Sequence, residues 1–244
     1  MFPDCAATIV GVYREFAPPP DLAAQVACVW TSVSRGGVVF PDGCVDIVWG
    51  GDRLVVAGPA TRPIVTGVGA GVPVFGVRFR LGAAGAALGL AASELVDQSI
   101  PLADLWGDTV DRGGFEGGVS RLVELVRSRL AAPPDPVVRR AALALARPGV
   151  RVETLDLGVS ERQLRRRFAD AVGYGPKRLA RVLRFQRFLG LAEHGGDLAR
   201  LALDAGYADQ AHLTRDCREL AGRTPAELMR SGAGPAGERL VLAR

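Results

Sequence analysis

The residues best suited to chemistry in this chain of 244 residues are arginines and short polar side chains on two matching stretches. In the first, Ser160 is followed by Arg162, Arg165 and Arg166, with Leu164 and Phe168 interleaved at four-residue spacing. In the second, Asp209 precedes Gln210, Ala211, His212, Thr214 and Arg215, and Leu213 takes the place of Leu164. A guanidinium carries a planar fork of donors that matches O6 and N7 of guanine. A glutamine amide pairs with adenine, and a threonine hydroxyl reaches bases or phosphates. The chemistry these residues offer is the reading of base edges, not bond making. Arg167, Arg178 and Arg181 are further cations that reach phosphates or nothing.

The two stretches are copies. Moved by 49 positions, Ser160 falls on Asp209, Leu164 on Leu213, Arg166 on Arg215, Gly173 on Gly222, Pro176 on Pro225 and Leu179 on Leu228. Each reads as a capped helix stopped by Gly-x-x-Pro, with recognition helices over about 160–172 and 209–221. Ser160 with Gln163 fits a capping box. Leu164, Phe168 and Val172 form one buried stripe. Ahead of the second copy, Asp197 caps a helix over 198–205 and Gly206 makes the turn, so the pair reads as a helix-turn-helix. In such a unit the second helix enters the major groove by its N-terminal end. Between the copies, residues 177–194 form the longest helix, which at about 1.5 Å per residue spans roughly 27 Å.

The rest of the chain sorts by texture. Residues 1–20 read as irregular. Short valine-rich runs at 26–33, 38–40, 45–49, 54–57, 64–68 and 74–79, broken by Gly, Pro and Asp, point to a small β sandwich or barrel. Gly50, Gly51 and Asp52 mark a hairpin turn. The Ala- and Leu-rich stretch 81–90 reads as helix, helical spacing follows at 119–130, and short turns or helices at 93–95 and 101–106. The prolines at 133, 134 and 136 mark a linker. Residues 137–146 read as a helix and 152–157 as a shorter one. The expected organisation is a β-rich α+β domain over 1–132, a linker at 133–136, an all-α domain with two helix-turn-helix units over 137–231, and a loose tail over 232–244.

Charge follows the same division. Residues 1–136 carry 10 basic and 14 acidic side chains, whereas 137–230 carry 18 and 11. A basic module beside an acidic one implies that only the second meets a polyanion. There is no apolar run of about 18 residues that would span a membrane, and no signal-peptide pattern opens the chain, so a cytoplasmic location is expected. Cys5, Cys28, Cys44 and Cys217 are widely spaced and read as reduced thiols, not as a zinc or redox motif. Both histidines, His194 and His212, lie outside the β-rich part, and metal catalysis there needs several imidazoles. No catalytic residue, metal or cofactor is expected. In the β-rich part, Asp42, Asp46, Arg78 and Arg80 line a polar pocket or form structural ion pairs.

Taken together, S-x-R-x-L-x-R-x-F at 160–168, the Gly173 to Pro176 exit, L-A-x-x-x-G-Y at 201–207, H-L-T-R at 212–215 and G-x-T-P at 222–225 resemble the DNA-binding domain of the AraC/XylS family of bacterial transcription regulators. The resemblance implies two helix-turn-helix units joined by a rigid helix, reading adjacent major-groove segments, which recur about every 34 Å on one face. It implies that Arg162, Arg165 and Arg166 meet bases in one segment, and Gln210, Ala211, His212, Thr214 and Arg215 in the next. The stretches 40–46, 76–80 and 104–107 resemble the small N-terminal domain of uncharacterised members, which in the family senses a small molecule, dimerises or both. The implied partners are promoter DNA, an effector, a second copy, and RNA polymerase if the protein activates. The class to set against this is a DNA-repair or other enzyme fused to the same module.

Two departures stand out. Residues 155–158 are two short of the L-A-x-x-x-G pattern, so the first unit's leading helix is expected to be truncated or repacked. Cys217 stands where the first copy has Phe168, so it should be buried, and Cys217→Phe should be tolerated in a thermal melt.

Overall fold

The computed structural model describes residues 13–107, 110, 118–130 and 132–232. Cys5, the first twelve residues of the expected irregular start and the tail from 233 lie outside them.

The valine-rich runs pair into an antiparallel six-stranded sheet of order β1-β2-β7-β4-β5-β8. Its strands are β1 (Arg14–Phe16), β2 (Val26–Val33), β4 (Asp46–Trp49), β5 (Leu54–Ala57), β7 (Pro73–Phe79) and β8 (Ser99–Pro101). The runs β3 (Val38–Val39) and β6 (Ile64–Val65) form a separate two-stranded ribbon. The expected sandwich or barrel thus takes the form of one sheet and a ribbon. Trp49 pairs with Leu54 across the Gly50–Gly51 turn, so the expected hairpin is present. Two edge strands escape the sequence reading. β1 falls in the stretch read as irregular, and β8 consists of three residues beside a helix. Neither is long enough to show alternation.

Because side chains alternate across a strand, the sheet has two different faces. Val29, Ile47, Leu54, Val56, Phe75, Val77 and Phe79 form one apolar face. Helices α1 (Ala84–Leu88), α2 (Leu102–Trp106) and α3 (Gly118–Arg129) cover it. The other face carries Cys28, Trp30 and Val74, with Tyr13, Val48 and Val68 packed on them. Charged residues of the same strands join them there.

The second half is all helix: α4 (Pro136–Leu145), α5 (Glu161–Val172), α6 (Pro176–Ala192), α7 (Leu198–Ala205), α8 (Gln210–Ala221) and α9 (Pro225–Arg230). The caps are those the residue types require. The Ser160 hydroxyl accepts from the Gln163 amide at 3.3 Å, and Gln163 Oε1 accepts from the Ser160 amide at 3.0 Å. Asp209 Oδ1 accepts from the His212 amide and Asp197 Oδ2 from the Arg200 amide. Both α5 and α8 end on a glycine in the left-handed region, Gly173 at φ 94° and Gly222 at φ 66°. Leu164, Phe168, Val172, Leu179, Leu183, Leu213 and Cys217 share one core, which also takes in Phe40 from the β-rich half. Cys217 is fully buried, at the place the 49-residue offset assigns it. The short helix read at 152–157 is a correction: only one 3₁₀ turn forms there, Val152–Thr154, and it buries none of its residues. The sequence is two residues short of the pattern, and Val152, Leu155 and Leu157 are only partly buried against the core.

Candidate nucleic-acid interface

The two copies agree in structure as in sequence. Both α5 and α8 are 12 residues long and begin directly after their caps. On α5, Leu164 and Phe168 face the core while Arg162, Arg165 and Arg166 are exposed. Arg165 is held along the helix by Glu161. Among the described residues, Arg162 and Arg166 have no carboxylate partner, so their donors are available to an incoming polyanion.

On α8, Gln210, Ala211 and Arg215 are exposed, and Arg215 likewise has no carboxylate partner among the described residues. Two expected readers are partly engaged. His212 is half-buried and sets its ring edge-on to Tyr207, with centroids 5.1 Å apart. Thr214 donates its hydroxyl to the Gln210 carbonyl at 2.8 Å. Both follow from helix geometry, which places position 212 beside the turn into α8 and position 214 above the carbonyl four residues back. Arg218, which the sequence reading left out, is exposed one turn beyond Thr214 and three residues after Arg215. Its spacing on the exposed face is the signal that would have found it.

Two of the three cations expected to reach phosphates or nothing, Arg167 and Arg181, have partners within the protein, as do Arg184 and Arg187 of α6. Arg167 pairs with Asp135 at 3.1 Å, and Asp135 also caps α4. Arg181 bonds Asp216 at 2.7 Å and Glu219 at 2.6 Å. Arg184 reaches Asp216 at 3.4 Å and stacks over Tyr207. Arg187 donates to the carbonyls of Ala205 and Ala146. Residues 181, 184 and 187 recur every three positions and therefore share a face of α6. Together they clamp α6 to α7 and α8. Asp216, whose side chain is only 4% exposed, is the carboxylate on which this clamp closes.

In the β-rich half, three of the four polar residues singled out come together. Arg78 on β7 lies opposite Asp46 on β4 and beside Cys28 on β2. Its Nε donates to Asp46 Oδ1 at 3.0 Å, and its Nη2 donates to Asp46 Oδ2 at 3.0 Å. Asp42 stands 3.5 Å and Glu15 4.0 Å from the same guanidinium. Arg80 does not join them. It lies past the end of β7, and its Nε donates to the Ala23 carbonyl at 2.7 Å.

Burial pushes the Asp42 carboxyl above its ordinary range, against the pull of Arg78. A carboxyl raised on folding contributes most stability below its unfolded pKa and loses it as pH climbs through the folded value. Asp42→Asn keeps the oxygen that accepts from the Cys44 amide at 2.9 Å and removes the buried charge. The variant is expected to match or exceed the parent in stability at pH 7, by up to about 1 kcal/mol. It should also fall less between pH 4 and about 7, as urea melts across that range would report. The nearby Cys28 thiol is pushed up by burial to about 12, and Cys217 likewise, so both stay protonated.

Two capped helices of equal length, each with an exposed arginine at the equivalent position and joined by one long helix, make a repeated arrangement in which only the second copy has a full helix before its turn. Residues 155–231 match the family described as a helix-turn-helix domain, and residues 14–101 match a domain of unknown function, DUF6597. The chain thus carries an AraC-type helix-turn-helix domain behind a DUF6597 domain. No curated protein matches the chain. Among solved structures, an apo form of ToxT from Vibrio cholerae strain SCE256 covers 83% of this chain and 97% of its own, at 10% identity and a TM-score of 0.46. A second ToxT structure from Vibrio cholerae covers 89% and 98%, at 9% identity and a TM-score of 0.47. Among the described residues, no helix is long and apolar enough to cross a membrane, and no three His, Cys, Asp or Glu side chains gather as metal ligands.

Proposed function

We propose that the protein regulates transcription by reading two adjacent major-groove segments on one DNA face, with α5 in one and α8 in the next. The observation that carries this reading is the structural repeat: Arg166 and Arg215 occupy the same position on two equally capped helices. Arg162, Arg165 and Arg166 are the proposed readers on α5, and Gln210, Ala211, Thr214 and Arg215 those on α8. Arg218 backs them from the last turn of α8, and His212 contributes through its exposed edge. Three arginines on the first helix favour guanine-rich contacts there.

The proposed division of labour places sensing or dimerisation in 1–132 and DNA binding in 137–231, joined by 133–136. An effector has room in a cleft of ≈ 480 Å³ between Gly85, Leu90, Pro134 and Asp170, a size within the usual span of about 300–1,000 Å³ for ligand sites. A cytoplasmic protein bound to the nucleoid, contacting RNA polymerase where it activates, completes the proposal.

Selection of bound sequences from random DNA, with and without cell extract, tests it. The expected outcome is an enriched site of two dissimilar elements about one helical turn, roughly 10 base pairs, apart. Equal affinity for the selected and a scrambled site at physiological salt would overturn sequence-specific reading.

A further inference from the structure

The two reading heads are built differently. The second is complete in itself. There α7 supports α8, the arginines of α6 close on Asp216, and α9 packs behind. The first has no helix in the place of α7, because Val152–Thr154 is a single 3₁₀ turn, half-buried at Val152, that packs on α6. Yet α5 is as well buried along its inner side as α8, with Phe168 at 0% and Val172 at 2% exposure.

Helix α4 packs on one side of α5, and the remaining support comes from the β-rich half. The 3₁₀ turn Ala92–Leu95 and helix α1 pack directly on α5. The approach is close enough to involve backbone. A Cβ added at Gly85 of α1 would lie 3.1 Å from the Asp170 carbonyl on α5, and one at Gly173 would lie 2.9 Å from the Ala92 carbonyl. Nearby, Gln186 donates to the Pro41 carbonyl at 2.6 Å, and Phe40 meets Phe185 edge-on at 5.9 Å. Meanwhile the proposed readers Arg162 and Arg166 stay exposed, so docking supports α5 without covering its outer face.

We infer that the N-terminal domain is a structural part of the first reading head, standing in for the helix that the first helix-turn-helix unit lacks. The surface formed by α1 and residues 92–95 has the back of α5 as its partner. A change in how that domain docks therefore loosens α5 and leaves α8 in place, so regulation acts on one half of the DNA site. This last step rests on the reading of α5 and α8 as DNA-contacting helices.

Hydrogen exchange on the full chain tests the docking without DNA. In mild denaturant the amides of 161–172 are expected to open together with those of 84–95, and those of 210–221 together with 198–205. If 161–172 open with 210–221 instead, the inference fails. The variant Gly85→Val places a branched side chain against the Asp170 carbonyl of α5 and the Leu90 carbonyl of its own half. It is expected to raise exchange across 161–172 by roughly tenfold while 210–221 is unchanged. On the selected DNA site, its hydroxyl-radical footprint should vanish under α5 and persist under α8. Equal retention or equal loss of both halves overturns half-site control. Should Gly85→Val not fold, the exchange pattern of the parent protein decides the docking alone. Joint opening of α5 with 84–95 but no footprint from either helix would leave the docking standing and remove the DNA-reading assignment.

Discussion

Replacing Arg78 by leucine is expected to destabilise the β-rich half by about 3–5 kcal/mol, the usual cost of removing one partner from a buried ionic cluster. Against a typical domain stability of about 5–15 kcal/mol, that loss is close to unfolding. The reason is the unbalanced charge left behind. Arg78, with its side chain 8% exposed, is the cation facing Asp46, Asp42 and Glu15. Without it, three carboxyl groups remain around an apolar side chain. Acid offers a check on the cause. The Asp42 carboxyl is already raised by burial, and loss of Arg78 removes the main opposing pull, raising it further. The penalty should therefore shrink as pH falls from 7 towards 4. Denaturant melts of parent and variant at the two pH values measure this, and a gap that stays constant with pH would point to lost packing instead. Because α5 leans on this half, the Arg78→Leu protein should also lose DNA contacts under α5 before those under α8.

Arg166→Ala and Arg215→Ala are each expected to cost about 1–3 kcal/mol of base discrimination, each at its own half of the site. Both side chains are exposed and, among the described residues, without a carboxylate partner, so truncation removes no internal contact that holds the fold. Thermal melts should be nearly unchanged, while competition between selected and single-base-changed duplexes reports relaxed preference at one half-site per variant. The double variant should add, since the two helices share no partner through these residues. Uniform weakening on every sequence, with a shallower salt dependence, would reassign both arginines to phosphate contact.

Much of the DNA-binding half was legible in the sequence because its signals are local. A cap, an amphipathic stripe and a terminal glycine lie within about a dozen residues of one another. Hence α7 matches its expected span of 198–205, and α5 and α8 keep the 49-residue offset from cap to stop. Most β runs were visible for the same reason, as short valine-rich stretches between turn residues. The short edge strands β1 and β8 were not, since three residues carry no period. Nor was the half-buried placement of His212 legible, because a residue at a helix start can turn back on the preceding loop, where Tyr207 offers it a ring.

By itself the sequence determined that two capped, arginine-bearing helices recur at one offset around a long helix, and with that the class of DNA reader. Only the tertiary structure decided which arginines are paired within the fold. Arg181 and Arg184 spend their donors on Asp216, more than thirty residues away, while Arg166 and Arg215 do not. It also decided that Arg78, and not Arg80, enters the carboxylate cluster, and that α5 rests on a domain remote in sequence. These are pairings between distant segments, set by strand register and by the approach of two backbones, and no local pattern of residue types encodes them.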